Sequence, residues 1–154
     1  MFERFAASTR TAVRHGVEEA ERRGDRRVGT DHLLLGVLRD ADSAALVGIS
    51  VDQARESADA LDRKALVAIG IDIGDFRPAA APRTGIRTQF TSGARSALQR
   101  TLVHTTTEKS RRIAPRHLLL ALAEREQPDP AAALLSELQV DTAELRRRLS
   151  ADRG

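Results

Sequence analysis

Three consecutive residues, Thr30-Asp31-His32, are the best placed in this chain to do chemistry. They open onto Leu33-Leu34-Leu35, a run that reads as the start of a buried helix. A helix N-terminus offers backbone N–H donors that lack helical acceptors, together with a positive potential, and so suits an anionic group. A carboxylate beside it pairs with a guanidinium. Together they would hold a zwitterionic group such as an arginine carrying a phosphate. The plain alternative, which local sequence favours, is an ordinary capped helix with Thr30 as N-cap and Asp31 complementing the helix dipole. His32 reads in the same plain way, as a packing or hydrogen-bonding histidine.

Other chemistry finds little support. His15, His32, His104 and His117 lie too far apart in sequence for a local metal site. There is no GxxxxGK[ST] phosphate loop, no GxSxG, no HExxH and no cysteine nucleophile. Neither catalysis nor a metal or cofactor is expected.

The elements that must position these residues form a repeat. Residues 5–38 align without a gap on 90–123, at an offset of 85, with nine identities. These are Phe5/Phe90, Arg10/Arg95, Ala12/Ala97, Arg26/Arg111, Arg27/Arg112, His32/His117 and the two Leu-Leu-Leu runs. The design unit is therefore about half the chain, used twice. In the second copy, Pro115-Arg116 replaces Thr30-Asp31. Proline is welcome in a first helical turn, but Arg116 is unfavourable beside the dipole and repels a guanidinium.

Phe2, Phe5, Ala12, Val13, Gly16, Val17 and Ala20 fall at three- and four-residue spacings, which predicts a first helix with one apolar face, closed by Gly24-Asp25. The Leu run gives a second helix, residues 42–47 a third ending at Gly48, and residues 52–64 a fourth. The second copy repeats this order, with Asp129-Pro130 opening its third helix and the last running to Leu149. The expected fold is all-α, two tandem four-helix repeats with pseudo-two-fold symmetry. Residues 65–73 echo a helix–turn–helix junction and predict an extra hairpin; residues 76–88, with Pro78, Pro82 and Gly85, read as a linker. The chain divides as repeat one over 1–64, hairpin and linker over 65–88, and repeat two over 89–150, in a single unit.

Composition narrows the class. A chain of 154 residues can bury an ordinary core, and no apolar run approaches the length of a membrane span. The expected setting is the cytoplasm. Formal charge is +3, but only Lys64 and Lys109 are lysines, and the arginines are interleaved with almost as many acids. That pattern does not call for a nucleic-acid partner.

Met1-Phe2-Glu3-Arg4-Phe5, Glu18-Glu19-Ala20 and the stretch from Gly29-Thr30-Asp31-His32 to Gly36-Val37-Leu38 resemble the N-terminal domain of the ClpC and ClpA unfoldases. Phe90-Thr91 through His117-Leu118-Leu119-Leu120-Ala121-Leu122 is similar to that domain's second repeat. The resemblance covers nearly the whole chain. It implies a non-catalytic domain that recruits substrates and adaptors to an ATPase ring, here in a stand-alone form of the kind found in actinobacteria. It also implies two surfaces. One is the phosphoarginine site at helix starts reading Gly-Thr-Glu-His. Repeat one matches at Thr30, Asp31 and His32, with the acid one methylene shorter, and repeat two loses the acid to Arg116. The other is a groove between the first helices of the repeats, where related domains bind cyclic-peptide antibiotics such as cyclomarin. Its matching positions are Phe2, Arg10, Val13, Val17, Phe90, Arg95, Leu98 and Leu102, while Arg14 and Gln99 depart from the pattern. The resemblance moves Phe2 from core residue to ligand contact.

The expected function is thus a binding protein of the Clp protease system, an adaptor or decoy. Its partners would be peptides, modified substrates, the Clp ATPase or its adaptors, or cyclic-peptide natural products. The alternatives are an Arg-rich helical DNA-binding regulator and an oligomerisation module.

Overall fold

The computed structural model describes residues 5–71 and 89–151. Their order is α1 (Ala7–Arg22), β1 (Arg27–Val28), α2 (Thr30–Leu38), α3 (Ala41–Val47), α4 (Val51–Ala68), β2 (Gln89–Phe90), α5 (Ser92–Thr107), α6 (Pro115–Ala123), α7 (Pro130–Glu137) and α8 (Thr142–Ala151). The fold is all-α, with four helices per repeat.

Short polar residues start these helices. Asp40, Ser50, Thr91 and Asp129 each accept a hydrogen bond from a first-turn N–H of α3, α4, α5 and α7. Left-handed residues follow them, and the repeats place these at matching points. Gly24 and Lys109 follow α1 and α5, and Gly48 and Gln139 follow α3 and α7, all with positive φ.

The core gathers around α2 and α6, whose leucines are almost wholly buried. Helix α1 lies against α2 at very close range. A Cβ on Gly36 would stand 2.4 Å from the backbone oxygen of Ala12 and 2.4 Å from the nitrogen of Gly16. Only a glycine lets the two backbones approach so far.

The repeats are joined by a reciprocal exchange. Val28 pairs in parallel with Phe90, and Phe5 with Ile113. Under the offset of 85 these are the same pairing made twice. The flanking bonds repeat too: Thr91 N–H donates to Val28 O at 2.9 Å, and Ala6 N–H to Ile113 O at 3.0 Å. The helix contacts follow the same rule, α3 packing on α8 and α4 on α7.

A buried acid ties repeat one together. Glu19 is 1 % exposed and accepts from Arg55 Nε at 2.9 Å, Arg55 Nη2 at 2.7 Å and Arg39 Nη1 at 3.4 Å. Burial alone raises its pKa, but these guanidinium contacts outweigh it and hold the carboxyl below its usual value.

Three expectations change. Phe5 precedes α1 in an extended bridge, because its backbone is taken up by Ile113 of the other repeat. The fourth helix does not stop at residue 64: Ala65–Ala68 continue α4, since nothing between Lys64 and Ala65 breaks a helix made of strong helix formers. The first arm of the expected hairpin is therefore the last turn of α4. Its turn is closed by Gly70, with positive φ, and by Ile71 N–H donating to Leu66 O at 2.8 Å, and residues 72 and 73 lie outside the described residues with the linker. That last turn is left apolar and open, Val67 being 59 % and Ile69 72 % exposed.

The α1–α2 contact gives a direct test. Gly36→Ala should lower unfolding free energy by about 2 kcal/mol, read as a shifted urea midpoint. An unchanged midpoint would show that the backbones separate freely.

Candidate functional site

The helix start at Thr30 is built differently from a simple cap. Gly29, in extended conformation, is the N-cap, and Thr30 is the first helical residue. The Thr30 hydroxyl faces across to repeat two, donating to Asp129 Oδ1 at 2.7 Å and accepting from Ala131 N–H at 3.1 Å. It caps α7 rather than its own helix, because α7 is seated directly on the start of α2.

His32 closes the turn. Its Nδ1 accepts from Gly29 N–H at 2.8 Å, which leaves Nε2 to donate to Asp25 Oδ2 at 2.7 Å. His117 repeats the arrangement, Nδ1 accepting from Ala114 N–H at 2.9 Å and Nε2 donating to Glu108 Oε2 at 2.9 Å. Burial lowers the His117 pKa, with the Glu108 hydrogen bond acting against it, so the ring is neutral at pH 7. Both histidines hold a loop.

Asp31 is the reactive-looking residue that remains. Its side chain is 26 % exposed. The carboxylate curls back over Gly29, where a Cβ would come within 2.7 Å of Asp31 Oδ1. In repeat two, Ala114 stands in place of Gly29, and the acid is gone.

Asp31 opens onto a cavity of about 170 Å³ lined by Arg23, Asp31, Ala58, Leu61, Asp62, Pro130, Ala133 and Leu134. One wall is apolar and comes from α4 and α7; one end is charged. At that end Arg23, only 9 % exposed, donates from Nη1 to Asp59 Oδ1 at 2.7 Å and from Nη2 to Asp62 Oδ2 and, at 3.4 Å, to Ala58 O. Its Nε is buried without a hydrogen-bond partner and lies 3.9 Å from Asp25 Oδ2. Three carboxylates thus lie within 4 Å of one guanidinium and Asp31 lines the same cavity, and an apolar stem with a cationic head fits such a space.

The second copy is closed. Arg116 meets Glu108 in a two-pronged pair, Nη1 to Oε1 at 3.1 Å and Nη2 to Oε2 at 2.5 Å, and His117 adds its bond to the same carboxylate. The Arg116 hydrogen bonds, against the opposing effect of burial and with help from His117, bring the Glu108 pKa down to about 2. Arg116 is therefore not a bare charge at a helix dipole. The offset of 85 places Glu108 opposite Arg23 and Arg116 opposite Asp31, so the two repeats carry the same charge pair with its ends exchanged. That double reversal was readable in the alignment, and it was the signal for Arg23 and Glu108. Asp59, Asp62 and Asp129 had no such signal.

The groove positions fall as follows. Arg10 and Arg95 are exposed on the first turns of α1 and α5, and Arg95 Nη1 donates to Phe90 O at 3.3 Å. Val17, Phe90 and Leu102 are half-buried, whereas Val13 and Leu98 belong to the core. Phe2 lies outside the described residues. The reciprocal bridges fix the segments ahead of α1 and α5 at equivalent points of the two repeats.

What the fold and site define is an all-α, two-repeat domain with one open and one closed helix-start site. No protein-family model matches the sequence, and no curated protein matches it. Solved structures do. The N-terminal domain of the caseinolytic protease associated chaperone ClpD from Arabidopsis thaliana is similar at TM-score 0.73 and 23% identity, over 98% of this chain and 98% of that one. The Hsp104 N-terminal domain from Candida albicans is similar at TM-score 0.70 and 18% identity, over 99% of this chain and 93% of that one. A structure from a malarial protein secretion system is similar at TM-score 0.64 and 15% identity, over 96% and 93%. The chain has the fold of a Clp N-terminal domain.

The Glu108 pair makes a pH prediction. A carboxyl held at about 2 against an ordinary 4.5 contributes stability that is complete above pH 4.5 and lost as pH falls toward 2. Glu108→Gln should lower stability at neutral pH and flatten the loss between those two pH values, as followed by thermal melts. Identical acid slopes in both proteins would show that Arg116 and His117 do not hold the charge.

Proposed function

We propose that this protein is a non-enzymatic binding protein of the Clp system. It captures peptides or modified protein substrates through the Asp31 cavity, with an arginine-type side chain, phosphorylated or plain, as the group bound. One observation carries this reading: within a Clp N-domain fold, the cavity joins a helix start and a carboxylate to an apolar wall. Asp31 would take the guanidinium, the first-turn N–H groups of α2 would take an attached phosphate, and the stem would lie against Leu61, Ala133 and Leu134. Repeat two contributes no second site, its own arginine having taken the place of a ligand.

A second reading rests on the α1–α5 face. Arg10 and Arg95 stand exposed there beside the half-buried Val17, Phe90 and Leu102, a mixed surface suited to a cyclic peptide. On this reading the protein sequesters compounds aimed at the unfoldase. Nucleic-acid binding has less support, because Arg23, Arg39, Arg55, Arg100, Arg116 and Arg125 are engaged by carboxylates of the chain itself.

An amide-shift NMR titration separates the two readings. A phosphoarginine peptide, and free arginine in a parallel tube, should move residues 30–33, 58–62 and 133. Asp31→Asn should weaken binding about tenfold or more. Equal affinity in the variant, or shifts confined to α1 and α5, would reject the cavity; a later addition of a cyclomarin-type peptide then tests the groove.

A further inference from the structure

The two helix-start sites hold the same charge pair, yet only one has closed. In repeat two the pair is joined, Arg116 to Glu108. In repeat one Arg23 and Asp31 line a common cavity, and Arg23 turns to α4 instead.

The difference lies in the fourth helices. Helix α4 brings Asp59 and Asp62, near its middle, to the guanidinium. The matching helix of repeat two is α8. Aligning Val51 with Thr142, the first residues of the two helices, puts Ser150 where repeat one has Asp59 and Arg153 where it has Asp62. Neither is an acid. With no acid at either matching position, the arginine of repeat two goes to the acid of its own charge pair.

We propose that Asp59 and Asp62 are positioning residues that hold Arg23 away from Asp31 and thereby keep the cavity open. When they are neutralised, Arg23 swings to Asp31 and fills the space, as Arg116 fills its own site. The move is within reach: it spans the same two backbone positions as the Arg116–Glu108 pair, with a combined side-chain length one methylene shorter. It is also driven, because a nearly buried guanidinium stripped of both acids keeps only Asp25, 3.9 Å from its Nε, half-exposed and already bonded to His32. The buried Nε of Arg23, unpartnered in the present arrangement, shows that α4 does not satisfy every donor. The inference builds on the proposed site but concerns the cavity's state before any ligand arrives.

The test needs no ligand. The chain has no cysteine, so Ala133→Cys places a single thiol in the cavity wall. Its alkylation rate by a small maleimide reports opening. Adding Asp59→Asn and Asp62→Asn should slow the reaction about tenfold, if one molecule in ten stays open. Asp59→Glu with Asp62→Glu should keep the original rate. Arg23→Gln, or Asp31→Asn, in the double-Asn background should restore it. Thermal melts confirm folding. If the double-Asn protein does not fold, Asp59→Ser with Asp62→Ser, without the thiol, gives a second readout: cross-peaks from Arg23 Hε to residues 29–31 should replace those to residues 58–62. Alkylation at an unchanged or faster rate, a slow rate that persists after Arg23→Gln, or cross-peaks that stay on α4 would each overturn the proposal. These outcomes leave the peptide titration independent, since that experiment asks whether Asp31 binds, not what keeps it free.

Discussion

The short parallel pairings between the segment ahead of each long helix and the strand of the other repeat, Phe5 with Ile113 and Phe90 with Val28, constrain everything else in this domain. A two-residue strand cannot hold itself in water, where its hydrogen bonds exchange for bonds to solvent at little net gain. Phe5, Val28 and Ile113 bury these pairings, so an opened bond would leave an N–H or carbonyl without water. Because each repeat supplies one partner to each pairing, neither can complete its own loop alone. The crossed packing of α3 on α8 and α4 on α7 follows from that exchange.

The candidate site is a product of the same exchange. Its apolar wall comes partly from Pro130, Ala133 and Leu134 of repeat two, and its floor and charges from repeat one. Thr30 shows how closely the two are fitted, with its hydroxyl serving the cap of α7 through Asp129 and Ala131. A helix start that would otherwise be an ordinary surface feature becomes one side of an enclosed space. The symmetry then breaks by charge rather than by shape: the same helices carry an arginine and an acid at the same two points, with the order reversed. The repeat with no acid at the points matching Asp59 and Asp62 has spent its pair internally.

Most of the remaining charge works in the same economical way. Glu19 gathers Arg39 and Arg55 from two further elements and binds α1 to α4. Glu124 meets both Arg100 and His104 across α5 and α6. An Arg-rich chain with this much internal pairing offers less free positive surface than its composition suggests, which favours recognition at defined sites over general attraction to a polyanion.

The amino-acid sequence by itself determined the repeat, the helix order, the buried leucine helices and the two unequal helix starts. Each of these is a local matter of periodicity, capping residues and turn chemistry, or of one copy compared with the other. Only the tertiary structure decided what Thr30 and Phe5 bond to, where α4 ends relative to its packing, and that Arg23 belongs with Asp59 and Asp62 at the mouth of Asp31. Those partners lie from 36 to 108 residues apart, and Thr30 and Phe5 have theirs in the opposite repeat. Hydrogen bonds and ion pairs between such residues depend on distances of an ångström or less, and nothing in a linear pattern carries that distance.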